Sequence, residues 1–187
     1  MQLGKSLMFD DKLLFWKFKQ GDKDALRQIY EKYKDNMRTI ACSLLRDTHA
    51  AEDILHDVFV SFAESVEHLE IKTSLKNYLI TSLLNRIHDV FRKRKSLSVD
   101  LNQVNSTSFH SVCPDKLLIG SERTQLLANA LAAIPFEQKE AIMLRLKGGM
   151  KLKEIAILQN TSISTVQGRY NYGLKKLRAI LNGKAVI

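Results

Sequence analysis

The sequence has little that would make anything but helices. Its 187 residues include only 8 glycines and 2 prolines, too few for the turns of a strand-rich fold. No segment alternates apolar and polar residues with period two, and no internal repeat is visible. No apolar run approaches the ~20 residues of a membrane span. The opening MQLGKSLMFDDKLLFWKF breaks its apolar residues with Lys5, Asp10 and Asp11, which excludes a good secretory signal. Two cysteines, Cys42 and Cys113, cannot form a disulfide framework, and Cys42 falls on an apolar helix face as a small hydrophobe. His110 and Cys113 lack a second ligand pair, so no zinc site and no cofactor is expected. The five histidines are scattered at positions 49, 56, 68, 88 and 110. With no nucleophile–base pair and no glycine-rich phosphate loop, an enzyme is disfavoured.

What is present is amphipathic periodicity and sorted charge. A hydrophobic share of 45% excludes wholesale disorder. Asp10 is placed to cap a first helix through Leu13, Leu14 and Phe18, ending at Gly21. Leu26, Ile29, Tyr30, Tyr33, Met37, Ile40, Ala41, Leu44 and Leu45 stripe a second, and Ile54, Leu55, Val58, Phe59, Phe62, Ala63 and Val66 a third. A fourth begins near the cap Ser74 with Leu75, Tyr78, Leu79, Leu83, Ile87, Val90 and Phe91. Together they make one helical domain, residues 9–95. Residues 96–121, rich in Ser, Asn and Thr, read as a flexible linker. A second helical domain, 122–187, carries Leu126, Leu127, Ala130, Leu131 and Ile134 on one helix. Pro135 opens the next, with Ala141, Ile142, Leu144 and Leu146, and Gly148-Gly149 closes it. The expected fold is all-α, two small helical domains.

The closing stretch, 152–181, reads as a helix-turn-helix. Ile155 and Ala156 allow a close crossing, Asn160 tolerates a left-handed turn, and Ser162 can cap the second helix of the pair. Ile163, Val166, Tyr170, Leu174, Leu177 and Leu181 form the inner stripe. The opposite face offers Ser164, Thr165, Gln167, Gly168, Arg169, Asn171, Tyr172, Lys175 and Lys176, donors and acceptors suited to bases and phosphates. A solvated hairpin has the same periodicity, so charge decides. From Arg145 to the end there are nine bases and one acid, Glu154, giving +8 of the chain's +9. Such a field draws phosphate.

The first domain also sorts its charge. Segment 47–70 holds seven acids and no Lys or Arg, whereas 71–95 holds seven bases and one acid, Asp89. Two solvated faces attracting each other would suffice; alternatively, the acidic helix meets a basic protein and the basic one nucleic acid. On the fourth helix Asn77, Thr81, Asn85, His88 and Arg92 form a polar stripe, continued by Lys93 and Arg94. Single-strand binding combines such backbone charge with a base pocket or stacking.

Four strings in this order resemble a bacterial sigma factor of the extracytoplasmic-function (ECF) type, over residues 9–95 and 122–182. GDKDALRQIYEKY resembles the opening of sigma region 2, and AEDILHDVFVSFAES the helix that docks on the β′ coiled coil of RNA polymerase. LKNYLITSLLNRIHDVFRKRK resembles the helix that melts and reads the −10 promoter element. IPFEQKEAIMLRLKGGMKLKEIAILQNTSISTVQGRYNYGLKKLR resembles region 4, which reads the −35 element. The chain departs from the family pattern with His56 for Gln, Tyr78 for Trp, Asn160 for Gly and Lys151 for a Ser or Thr cap. Gln167, Asn171 and Tyr172 stand where basic or variable residues are common, which concerns the promoter sequence.

The resemblance implies a non-catalytic specificity subunit that binds core polymerase through the β′ coiled coil and the β subunit. It implies roles for Asp53, His56, Asp57 and Phe59 in core-polymerase binding. For −10 DNA it points to Asn77, Thr81, Asn85, His88, Arg92, Lys93 and Arg94. For −35 DNA it points to the outer face of the closing helix, from Ser164 to Lys176. It further implies promoter DNA and an anti-sigma factor as partners, while the two cysteines make a reducing cytosol the default compartment and the lack of a long apolar run leaves no membrane insertion expected. A ligand-sensing dimeric regulator is the competing reading; the acidic helix and the absence of dimerisation heptads weigh against it.

Overall fold

The structure, a computed structural model, describes residues 3–71, 74–99 and 122–183. All regular elements among them are α-helices: α1 (Leu3–Lys19), α2 (Lys23–Leu45), α3 (Thr48–Ser65), α4 (Leu75–Val99), α5 (Glu122–Ala132), α6 (Phe136–Leu146), α7 (Leu152–Leu158) and α8 (Ile163–Leu181). Nearly all of the expected linker lies outside the described residues, as do His110 and Cys113.

Helices α1 to α4 pack around the stripes expected of them, except that Leu13 of α1 and Tyr30 of α2 are exposed. Ile29, Met37, Ile40 and Leu44 of α2, Val58 and Phe62 of α3, and Leu79, Leu83 and Ile87 of α4 are all buried. Phe62 is the junction, its ring 6.1 Å from Phe15, 5.5 Å from Phe18 and 6.0 Å from Tyr78. The helix ends obey capping chemistry. Asp22 accepts from the Asp24 and Ala25 amides, Asp47 from Ala50, and Ser74 from Asn77, each satisfying a donor with no helical partner.

The first helix differs from expectation. It starts at Leu3, so Asp10 lies exposed within it rather than at its cap. Asp11, one residue on, is buried and accepts from Lys32 Nζ and Tyr33 Oη, both at 2.6 Å. Burial, with these contacts to Asp11, raises the Tyr33 hydroxyl far above its ordinary range and keeps it a donor. The buried face of α4 is also wider than its predicted stripe, because Ile80 and Leu84 are enclosed too. Cys42 is buried as expected.

The last four helices build the second unit. Ala130, Ile134, Ala141, Ile142, Leu144, Ile155, Ala156 and Val166 are buried. Leu126, Leu127, Leu146, Ile163 and Leu181, expected inward, are exposed instead. A unit this small has too little interior for every apolar residue. Gly173 fixes the closest approach, since a Cβ there would lie 2.8 Å from Ile142 Cδ1 of α6. At the end of α6, Gly149 takes φ +67° and the Met150 amide returns to Leu144 O at 3.1 Å, as the glycine pair predicted. The two units pack on each other: α2 meets α5 and α6, and one apolar cluster runs through both.

Candidate nucleic-acid and polymerase interfaces

The acidic face of α3 is real and outward. Asp53, His56 and Asp57 are exposed at helical spacing, with half-exposed Val60 completing the face. Phe59 is not on it. It is buried and edge-on to Tyr30, 4.9 Å between ring centroids, so among the sequence-derived contact residues it can only support the face. Asp57 also accepts from Arg86 of α4 at 3.3 Å, and Arg86 reaches the Asp57 carbonyl and the Ser61 hydroxyl. Beside this face, Tyr30, Lys34, Asp35, Arg38, Glu52, Leu55 and His56 line an open cleft of about 300 Å³ between α2 and α3.

The polar stripe of α4 is divided. Asn85, Arg92, Lys93 and Arg94 are exposed, and Arg92 holds Asp89 at 2.6 Å. Asn77, Thr81 and His88 are half-buried. Asn77 Nδ2 donates to Glu154 Oε1 of α7 at 2.9 Å, and His88 Nε2 lies 2.6 Å from Glu140 Oε1 of α6. Chiefly through this bond to Glu140, the imidazole is held above its ordinary pKa despite partial burial. Phe91, half-buried, meets Phe136 edge-on at 4.8 Å, and Tyr78 packs against Phe62. Both aromatics therefore serve packing.

The helix-turn-helix is formed by α7 and α8. Asn160 makes the turn at φ +47°. Ser162 caps α8, accepting from the Thr165 amide at 3.1 Å and meeting the Ser164 and Thr165 hydroxyls at 2.8 Å. Lys151 offers α7 no side-chain acceptor, so Glu154 supplies the start instead, accepting the Lys151 amide at 2.6 Å. On α8, Ser164, Thr165, Gln167, Asn171, Tyr172 and Lys175 are exposed; Gly168, Arg169 and Lys176 are partly so. No atom lies within 4 Å of where a Gly168 side chain would begin, leaving backbone open on this face. Arg169 is engaged, its Nη1 donating to Gln159 Oε1 at 2.7 Å.

Residues that sequence reasoning passed over tie these faces together. Glu140 is buried with only 2% of its surface exposed, and its Oε2 accepts from Gln159 at 2.7 Å. Lys139, also buried, sits near Arg46, and burial with that neighbouring cation lowers its amine to about 8. Their positions gave no hint, because they close the polar stretch 137–140 ahead of the apolar run that starts at Ala141.

Residues 29–97 match the family description Sigma-70 region 2, and residues 124–177 match Sigma-70, region 4. The chain belongs to the ECF group of sigma-70 factors. It is 24% identical over 169 residues to the ECF RNA polymerase sigma factor SigW of Bacillus subtilis, covering 86% of this chain and 90% of SigW. To the RNA polymerase sigma factor CarQ of Myxococcus xanthus it is 26% identical over 165 residues, covering 88% and 94%. Among solved structures, the sigma factor RpoE of Bartonella quintana, in complex with the anti-sigma factor NepR, has a TM-score of 0.70 at 25% identity. That match covers 83% of this chain and 96% of the other. CnrH, in complex with the cytosolic domain of CnrY, shares the fold at TM-score 0.67 and 19% identity, covering 94% and 99%. The factor is thus a promoter-specificity subunit of RNA polymerase in transcription initiation. No described helix is long and apolar enough to cross a membrane.

Proposed function

We propose that the factor engages core polymerase with the exposed acids of α3, opens the −10 element with α4 and reads the −35 element with α8, without catalysis of its own. The exposure of Asp53 and Asp57 on one face, opposite the buried stripe of the same helix, carries the first assignment. Residues 9–95 form the region 2 unit, with α4 running on to Val99, and 122–187 form the region 4 unit. The factor works in the cytoplasm, and an anti-sigma factor holds it in check, as NepR and CnrY accompany the similar RpoE and CnrH. Reconstitution with core polymerase and a promoter library, scored by initiated transcripts, tests the whole reading. Absence of transcripts would refute it.

Replacing Asn85, His88 and Arg92 together by Ala is expected to impair strand opening more than recruitment, since these groups meet bases only after the strands part. Permanganate probing of promoter thymines at matched occupancy measures it. Equal opening by the variant would make this a merely solvated face.

Gln167 and Asn171, four residues apart and both exposed, suit adenine, because a side-chain amide offers a donor to N7 and an acceptor to the exocyclic amine. Asn171→Ala is expected to lose discrimination at one base position, by about 1–3 kcal/mol. Lys175→Ala, which removes a phosphate contact, is expected to weaken all sequences alike and flatten the salt dependence. A promoter-variant library distinguishes them, and a uniform loss from Asn171→Ala would assign that Asn to positioning only.

A further inference from the structure

Between the two units runs a continuous line of side chains that begins on the −10 face and ends on the −35 face. His88 of α4 meets Glu140 Oε1 of α6 at 2.6 Å. Gln159, the residue that ends α7, donates to Glu140 Oε2 at 2.7 Å and to the Glu137 carbonyl at 3.0 Å. Its own Oε1 accepts from Arg169 of α8 at 2.7 Å. A second tie, Asn77 to Glu154, lies toward the other end of α4, and the Phe91 and Phe136 rings close against each other beyond His88. Two of the five residues in the α4 stripe are therefore hydrogen-bonded to the other unit, and neither can keep that bond while facing a base.

We propose that region 4 is an intramolecular occupant of the promoter face of α4, held by the chain His88–Glu140–Gln159–Arg169, and that DNA engaging either end dismantles it. The proposal rests on the assignment of that stripe to −10 DNA. Its logic is competition for the same donors. Phosphate drawing Arg169 away leaves Gln159 with one partner fewer, and a base taking His88 leaves Glu140 buried without its cation, a costly state. Each event thus makes the other easier, which couples the two promoter contacts through a shared closed state.

The charged groups facing the imidazole are Glu140 from α6 and Asp89 from α4 itself, with Gln159 of α7 acting through Glu140. Both acids favour its protonated form. The closed state consequently raises the His88 pKa, so the ion pair is intact at low pH and is lost as pH rises through that raised value. Closure weakens upward from the ordinary histidine range.

The test uses the full-length chain as wild type, Glu140→Gln and Phe136→Ser. Glu140→Gln keeps the side-chain shape and removes the charge; Phe136→Ser removes the ring contacts to Phe91 and His88 while keeping every hydrogen-bonding group of the polar chain. Small-angle X-ray scattering reports closure, and fluorescence anisotropy with a labelled random-sequence single-stranded DNA reports access to α4. Both variants are expected to expand and to bind the DNA about tenfold more tightly, the scale of losing a charged hydrogen bond in Glu140→Gln and of losing aromatic packing in Phe136→Ser. The wild type is expected to loosen between about pH 6 and about pH 8, and Glu140→Gln to stay level. If a variant melts out, the pH comparison on the wild type decides alone. Unchanged dimensions and DNA affinity in folded variants, or a wild type of constant dimensions across that pH range, overturn the latch. Transcription with core polymerase is measured in parallel. A wild type that initiates while its variants keep its shape refutes the latch and leaves the promoter reading standing. A wild type that fails to initiate refutes the promoter reading, and the scattering comparison still decides closure.

Discussion

Reversing Asp53 and Asp57 to Lys is expected to weaken binding to core polymerase by about thirtyfold or more while leaving the factor folded. Both carboxylates are exposed on α3 and lie on one face, four residues apart. Breaking a charge pair that becomes buried in an interface costs about 2–5 kcal/mol, and each 1.4 kcal/mol is tenfold in affinity. The fold has little to lose. The one ion pair broken, Asp57 to Arg86 at 3.3 Å, is well exposed to solvent on both sides, and such pairs contribute at most about 1 kcal/mol. Arg86 also keeps its bonds to the Asp57 carbonyl and Ser61 hydroxyl. Competition for core polymerase against the wild type measures the affinity, with thermal melting as control. Undiminished competition by the folded double variant would remove α3 from the polymerase interface.

The contrast between Phe59 and its neighbours shows where sequence reading stops. Periodicity places Ile54, Leu55, Val58, Phe59 and Phe62 inward, and all are buried. The family resemblance puts Phe59 on the contact face or in support of it, and a side chain in the core stripe is left with the supporting role. Turn chemistry is equally readable: Asn160 takes the left-handed conformation, and Ser74 and Ser162 cap their helices. These are local effects, settled within four residues. The start of α1 is misleading because Asp10 has the chemistry of a cap, and only packing against α2 shows that its neighbour Asp11 is the one with a structural partner.

What the sequence hides is contact between units. His88 and Glu140 lie 52 residues apart and Asn77 and Glu154 77 apart. A polar pair at such a distance leaves no periodic trace, whereas an apolar stripe recurs every three or four residues. The stripe on α4 is visible as polar, and its chemistry points to DNA alone. Its second use, as a seat for region 4, depends on how two helical units pack, which neither unit's pattern encodes. The exposure of Leu126, Leu127 and Leu146 has a similar origin, because helical period predicts a face but not how much of it finds a neighbour.

Phe62→Ala is expected to be the most destabilising single truncation considered for this chain. Phe62 is almost fully buried, and its ring touches Phe15 and Phe18 of α1 and Tyr78 of α4 while belonging to α3. Removing it empties the point where three helices meet. Truncation of a buried Phe costs about 3–5 kcal/mol, from lost transfer energy and an incompletely collapsed cavity. For a chain of this size each kcal/mol lowers the melting temperature by about 2–4 °C, so a fall of about 10 °C is expected. The same geometry reaches the promoter face. Tyr78 sits one residue from Asn77, so loosening its packing shifts the start of the promoter stripe as well. Phe62→Leu, which refills most of the space, is expected to recover more than half of the lost stability. Calorimetry on the three proteins decides it: a Phe62→Ala variant melting within about 2 °C of wild type would show that α1 and α4 do not depend on this junction.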